Sequence, residues 1–365
     1  MTATYELWYA DDLGNRLAYM NDVISFEYAK VIGDIGVAII QVSNRNSPYR
    51  VNLPDRRVHI YRQPVGGSLK LDFTCYLRKF NTETTQAGQF WRSLTAFDSN
   101  EILRRRILWN DGNADHVVEV TGVEADNAMK DIWLASFDDG FTDTREITGK
   151  GFSAAADETL GPQLTKAFRW RNLLTVLQDL QADSKAQGTE VFFGMVPTGE
   201  TATEFQTWIN QPGRDLSNDI IFSLERGNLS NPKLSYDHTE EVTQVYAGGQ
   251  GLDTDRVVQT ANDSDRYNLS RLNYIEKFRH SQGDTSAVVL SDARDELERH
   301  RPRFTFSADI SDTPRIRYGR DWNIGDKVGV DYAGIQFSTI IRSVHVKVDP
   351  SGQETISSRV ENISS

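Results

Sequence analysis

The residues of this 365-residue chain with a capacity for acid–base, nucleophilic or metal chemistry are six histidines, one cysteine and 52 carboxylates. The histidines, His59, His116, His238, His280, His300 and His345, show no pair at ligand spacing, and no His-Glu-x-x-His run occurs. His59 and His345 fall within alternating strand-like runs, which suits structural histidines. Cys75 lies on the apolar side of such a run, as a buried thiol would, and a lone cysteine excludes an intrachain disulfide and a cysteine-based zinc site. Asp253 and Asp255 form an Asp-x-Asp pair that suits a hard cation, but no third or fourth oxygen ligand follows at a recognisable spacing. Gly248-Gly249-Gln250-Gly251 resembles a phosphate cradle only superficially. It lacks the Gly-Lys-Ser/Thr ending and the strand-to-helix setting, so a turn is expected. There is no Gly-x-Ser-x-Gly elbow, and nothing singles out one carboxylate pair for glycoside hydrolysis. Trp8, Trp91, Trp208 and Trp322 are candidates for a sugar-binding platform, though such residues more often anchor cores and subunit contacts. The expectation is a protein with no catalytic residue, no cofactor and no metal.

The elements that carry these residues are mostly strands. Ile220, Phe222 and Leu224 alternate with Ile221, Ser223 and Glu225, and Val242, Gln244 and Tyr246 with Thr243 and Val245, so Asp219 to Thr260 reads as an antiparallel meander. Leu69, Leu71, Phe73, Cys75 and Leu77 make the cleanest strand of an N-terminal β block. Helices are expected after Asp98 (Ile102, Leu103, Ile107), from about Asp126 (Met129, Ile132, Trp133), over Arg169 to Gln187 and over Ser291 to His300. Lys327 to Tyr332, Ile335 to Ile341, Val344 to Val348 and Thr355 to Val360 suit a small closing barrel. The fold class is mainly β (α+β), with boundaries near residues 1–97, 98–188, 189–277 and 278–365. A formal charge of −12, from 40 Lys and Arg against 52 Asp and Glu, opposes broad affinity for nucleic acid or anionic membrane. No segment approaches the ~20 apolar residues of a membrane span, and Met1 to Ala10 lacks the pattern of a secretion signal. Synthesis in a cytoplasm, without membrane insertion, is expected.

The order of the pieces carries a resemblance. Ser99-Asn100-Glu101-Ile102-Leu103-Arg104-Arg105-Arg106-Ile107 follows a strand ending near Phe80 and a glycine at Gly88. Trp170-Arg171-Asn172-Leu173-Leu174 opens a helix stopped by Gly188 and followed by Glu190-Val191-Phe192-Phe193. Gln211-Pro212-Gly213-Arg214-Asp215, then Phe222 to Leu229, Tyr246 to Gly251 with Arg256, and Ile324-Gly325-Asp326-Lys327-Val328 complete it. From about Tyr5 to Ile363 the chain resembles the tail-hub, or tail-associated, proteins at the baseplate of long-tailed bacteriophages. The resemblance implies a structural homotrimer in the virion tail, made in the host cytoplasm. Each subunit would contribute two tube-type β-barrels, drawn from the N-terminal block and the central meander, to a pseudo-sixfold ring around the DNA channel, with the closing barrel peripheral. Implied partners are a distal-tail or tail-tube ring, a tape-measure protein, other baseplate or receptor-binding proteins, and phage DNA in transit. Thr243 and Asp237 are candidates for the channel wall, and Arg214, Arg226 and Arg256 for subunit bridges. A stand-alone carbohydrate- or receptor-binding β-module is the alternative, and a tail hydrolase a third class.

Overall fold

Side chains that alternate between apolar and polar can bury one face of a sheet and leave the other in water, and that pattern sets the architecture. The computed structural model describes residues 3–43, 53–84, 90–108, 117–137, 145–251, 256–310 and 313–361. Among these, eleven strands form one continuous antiparallel sheet. Their order across it is Leu229–Asp237, Arg303–Ile310, Glu354–Glu361, Ser343–Val348, Val23–Val31, Val37–Val42, Phe90–Phe97, Lys70–Thr84, Arg57–Gln63, Thr4–Ala10 and Arg16–Tyr19. The fold is mainly β, as expected.

The closing strands join the N-terminal ones instead of forming a barrel of their own. Ser343–Val348 pairs with Val23–Val31, placing Val346 opposite Tyr28 and Val348 opposite Phe26. These four side chains are buried in one core with Ile40, Leu94, Phe306 and Ile356. Burying a side chain of this kind stabilises by roughly 1.5–3 kcal/mol, so a shared core outweighs two small ones. The central meander is likewise divided. Asp215–Ser223 runs parallel to Lys327–Tyr332, which pairs with Ile335–Ile340, and this three-stranded sheet covers the core from the other side through Phe222 against Trp322. Leu229–Asp237 edges the large sheet. Gln244–Gly248 and Val258–Asn262 form a hairpin joined in parallel by Glu276–His280. Alternation fixes which face a strand buries, not which strand lies beside it, and here the turns send successive strands to different sheets.

Two helical units hang from this frame. In the first, helices Ala125–Phe137 and Leu173–Ala186 pack on the hairpin Val191–Pro197/Thr203–Ile209 around Trp133, Leu177, Phe193 and Phe205. The second helix starts later than its apolar spacing suggested. Trp170 has φ +53° and is 51% exposed, and the Asn172 side chain caps the helix by accepting from the Leu174 amide at 3.1 Å. The helix after Asp98 is a single turn, Glu101–Arg104, and Ile107 lies in a short strand. In the second unit, Ser286–Arg299 covers the three-stranded sheet through Val289, Ala293 and Leu297, against Val245 and Ala247. This unit is inserted between the neighbouring strands Leu229–Asp237 and Arg303–Ile310.

Candidate assembly interface

A buried polar network joins the first and last strands of the chain. Arg62 donates from Nε to Glu354 Oε1 (2.8 Å), from Nη2 to Oε2 (3.1 Å) and from Nη1 to the Tyr318 carbonyl (2.6 Å). Tyr5 donates its hydroxyl to the same glutamate. Beside it, Asp72 accepts from Lys30 Nζ at 3.0 Å and from the hydroxyls of Tyr28 and Tyr318. Burial works to raise the Asp72 pKa, but Lys30 and the Tyr28 hydrogen bond overcome it and hold the carboxylate ionised. Burial and Asp72 push both tyrosines up, so they stay neutral donors. The arrangement ties two parts of the sheet together.

The face of the sheet turned away from this core is polar along an eight-strand run from Leu229–Asp237 to Lys70–Thr84. It carries Lys233, Ser235 and Asp237, then Arg303, Thr305 and Ser307, then His345 and Lys347, Glu27, Gln41, Ser93 and Thr95, and finally Lys79, Asn81 and Glu83, with Ala29, Val31, Val37 and Ile39 as an apolar strip in its middle, as the strand registers place them. Among the described residues both ends of the run are open. Leu229–Asp237 pairs there on one side only, with Arg303–Ile310. At the other end the pairing of Arg57–Gln63 with Lys70–Thr84 reaches Tyr76, and from Lys79 to Thr84 that strand has, among the described residues, only Phe90–Phe97 beside it. Asp237 thus lies on the outward face, as expected of a channel-wall candidate. Thr243 does not: it is fully buried, with its Oγ1 donating to the Asn273 carbonyl at 2.8 Å.

The three arginines singled out in the sequence are not brought together. Arg214 donates from its amide to Asp326 Oδ1 (2.7 Å) and from Nη2 to Asp326 Oδ2 (3.1 Å), fixing the parallel pairing of Asp215–Ser223 with Lys327–Tyr332. Arg256 closes the glycine turn from within, donating to the Gly248 and Gly249 carbonyls at 3.0 and 3.1 Å, with its guanidinium over Phe278. Arg226 is exposed in the turn that leads into the free-edged strand Leu229–Asp237.

Trp322, Trp8 and Trp208 lie in separate places. Trp322 is fully buried against Phe222 and Tyr318, Trp8 lies edge-on to Tyr19 under the Arg16 guanidinium, and Trp208 sits over Gly194. His59 is buried between the Thr74 hydroxyl and the Gly14 carbonyl, and burial lowers its pKa. Cys75 is buried, its thiol pushed up by that burial. His116, Gly88, Asp253 and Asp255 lie outside the described residues, among which no cluster suits a metal ion. A cavity of about 570 Å³ between the β frame and the first helical unit is walled by Tyr61, Phe193 and Trp208. Its carboxylates have structural partners: Arg16 and Tyr61 for Glu200, Lys30 for Asp72, and the Asn100 amide for Asp98.

Residues 4–360 match the model of the Siphovirus ReqiPepy6 Gp37-like protein family, and the chain belongs to that family of phage tail proteins. Solved structures share the fold over nearly the whole chain. A 43 kDa tail protein of prophage MuSo2 from Shewanella oneidensis superposes with a TM-score of 0.61 at 10% identity, covering 98% of this chain and 97% of that one. A tail protein from Neisseria meningitidis gives 0.60 at 14% identity, over 98% and 96% of the two chains. An Escherichia coli type VI secretion component, described as structurally similar to the bacteriophage T4 tail proteins gp27 and gp5, gives 0.50 at 9% identity, over 94% and 74%. No curated protein sequence matches. The chain therefore belongs to a siphovirus protein family and shares the fold of these tail proteins.

Proposed function

We propose that the chain is the structural hub of a siphovirus baseplate. Three copies form a ring that joins the tail tube or distal-tail ring to the tail tip and surrounds the DNA channel. The observation that supports this most directly is the eight-strand run with a polar outward face and an open edge at each end. Neighbouring strands in the run are antiparallel, so the first and the eighth point in opposite directions. Rotating a second copy about an axis along the strands brings one copy's open edge antiparallel to the other's. A head-to-tail contact of this kind repeats until it closes, and closure removes the exposed edges that would otherwise promote aggregation. The two tube units of this reading are the N-terminal strands to Phe97, and the strands 215–237 with 303–361. The helical units 98–209 and 240–302 lie outside them and meet the distal-tail ring, the tape-measure protein and other baseplate or receptor-binding proteins. In this reading the protein works by shape and not by catalysis.

The role divides the three arginines. Arg226, beside the open edge, is placed to bridge copies, whereas Arg214 and Arg256 act within one. Light scattering with negative-stain imaging of the purified chain tests the reading. A particle of three chain masses with a central hole is expected; a monomer at every accessible concentration, alone and with a tube ring added, overturns it.

A further inference from the structure

Resting on that ring, we infer a specific seam. The edge strand Leu229–Asp237 of one copy pairs antiparallel with Lys79–Thr84 of the next, in a register that sets Asp237 opposite the next copy's Lys79, Ser235 opposite Asn81 and Lys233 opposite Glu83. The register follows from side-chain chemistry at the two open edges. On the outward face the first edge reads Lys233, Ser235, Asp237 and the second reads Lys79, Asn81, Glu83, by their pairing within the chain to Ser307, Thr305 and Arg303 and to Thr95, Ser93 and Trp91. Run antiparallel, the two triplets are complementary in charge at both ends and uncharged in the middle. A slip of two residues one way sets Lys79 against Ser235 and Lys233 against Asn81. A slip the other way sets Asp237 against Asn81 and Ser235 against Glu83. Neither keeps an opposite-charge pair. A slip of one residue turns every side chain to the wrong face.

The core-side face supports the same register independently. It places Tyr236 opposite the next copy's Phe80. Tyr236 is 60% exposed, with one side of its ring on Phe304 at 4.9 Å. Phe80 is half-buried and packs at the edge of the main core. Aromatic cross-strand pairs are among the favourable ones, and the seam gives an otherwise exposed tyrosine a partner. Asp237 accepts from its own Thr239 amide through Oδ1 and lies opposite Arg303, so the next copy's Lys79 completes a row of alternating charge.

Cysteine pairs read the register. Residues directly opposite in an antiparallel pair have Cα atoms about 4.5–5.5 Å apart, within disulfide range, and partners two residues off do not. Cys75 is buried and does not compete. The variant Asn81→Cys/Ser235→Cys, oxidised without denaturant, is expected to give covalent multimers up to the closed ring on a denaturing gel. Lys79→Cys/Ser235→Cys and Glu83→Cys/Ser235→Cys are expected to cross-link about tenfold less. Stronger cross-linking by either of those overturns the register. A ring-sized mass in solution with no cross-link from any pair overturns the seam and leaves the ring standing; a monomeric mass for the unaltered chain at every accessible concentration, alone and with a tube ring added, overturns both. Without introduced cysteines, Lys79→Glu and Asp237→Lys each weaken assembly about tenfold, and combining them restores it. No recovery in the double variant counts against the seam.

Discussion

Asp98 is the residue whose environment departs furthest from its ordinary chemistry. It ends the strand Phe90–Phe97 and accepts from the Asn100 amide at 3.1 Å. Burial raises its pKa to about 8, with Asp34 and Glu101 adding to the rise and the Gly36 and Asn100 amides opposing it. The folded chain therefore holds a proton on Asp98 that the unfolded chain releases near pH 4. Where the folded state binds more protons, stability falls as pH rises, so this residue costs stability progressively from about pH 4 to pH 8. Asp98→Asn keeps an acceptor for the amide and removes the ionisation. Its unfolding free energy is expected to match the parent's near pH 4 and to exceed it at pH 8, by an amount on the order of a few kcal/mol. Parallel pH profiles of the two would contradict this. At this scale the sequence was only partly legible. Cys75 and His59 sit where their alternation placed them, and Trp322 anchors the core, as such residues more often do, but Thr243, a candidate for the channel wall, is buried against Asn273 and Ile275, which local spacing cannot reveal.

Between elements, Glu190 and Arg342 form the strut that ties the first helical unit to the large sheet. Arg342 lies just before Ser343–Val348 and donates twice to Glu190, from Nη1 at 3.0 Å and from Nη2 at 2.8 Å, while its guanidinium stacks on Phe192. Burial acts to raise the Glu190 pKa, and the Arg342 hydrogen bonds more than offset it, keeping the pair charged. Removing one partner strands the other charge, a loss of roughly 3 kcal/mol, whereas replacing both with uncharged residues of similar size costs less. Arg342→Ala should therefore lower the urea midpoint more than Glu190→Gln/Arg342→Met does; the reverse order would show that the pair contributes little. The elements themselves were largely legible. Helix Ala125–Phe137 begins near Asp126, where it was expected. Helix Ser286–Arg299 is longer at its start than its charged stretch suggested, because Thr285 caps it. What the sequence hid was pairing. Val23–Val31 and Ser343–Val348 are neighbours separated by most of the chain, and their alternation would suit many partners equally.

At the scale of the whole molecule, in the proposed ring the outward face of the eight-strand run would have to let DNA pass without holding it. An acidic chain alone does not secure this, since Lys79, Lys233, Lys347 and Arg303 all stand on that face. Their placement matters more than the total of −12. Lys347 lies directly opposite Glu27, Arg303 directly opposite Asp237, and the seam sets Lys79 and Lys233 against Asp237 and Glu83 of adjoining copies. Each cation then has a carboxylate nearer than any phosphate of a passing duplex, so few counterions would be released on contact and little affinity results. Glu27→Gln would uncover Lys347 without touching the seam. Duplex DNA should be retained by the assembled variant at low salt and released as salt rises toward about 0.2 M, with a steep dependence from cations repeated in every copy. The parent ring should retain none across the same range. Salt-dependent retention by the parent would mean that this face does not line the channel, and the axis of the ring would have to be placed on the other side of the sheet.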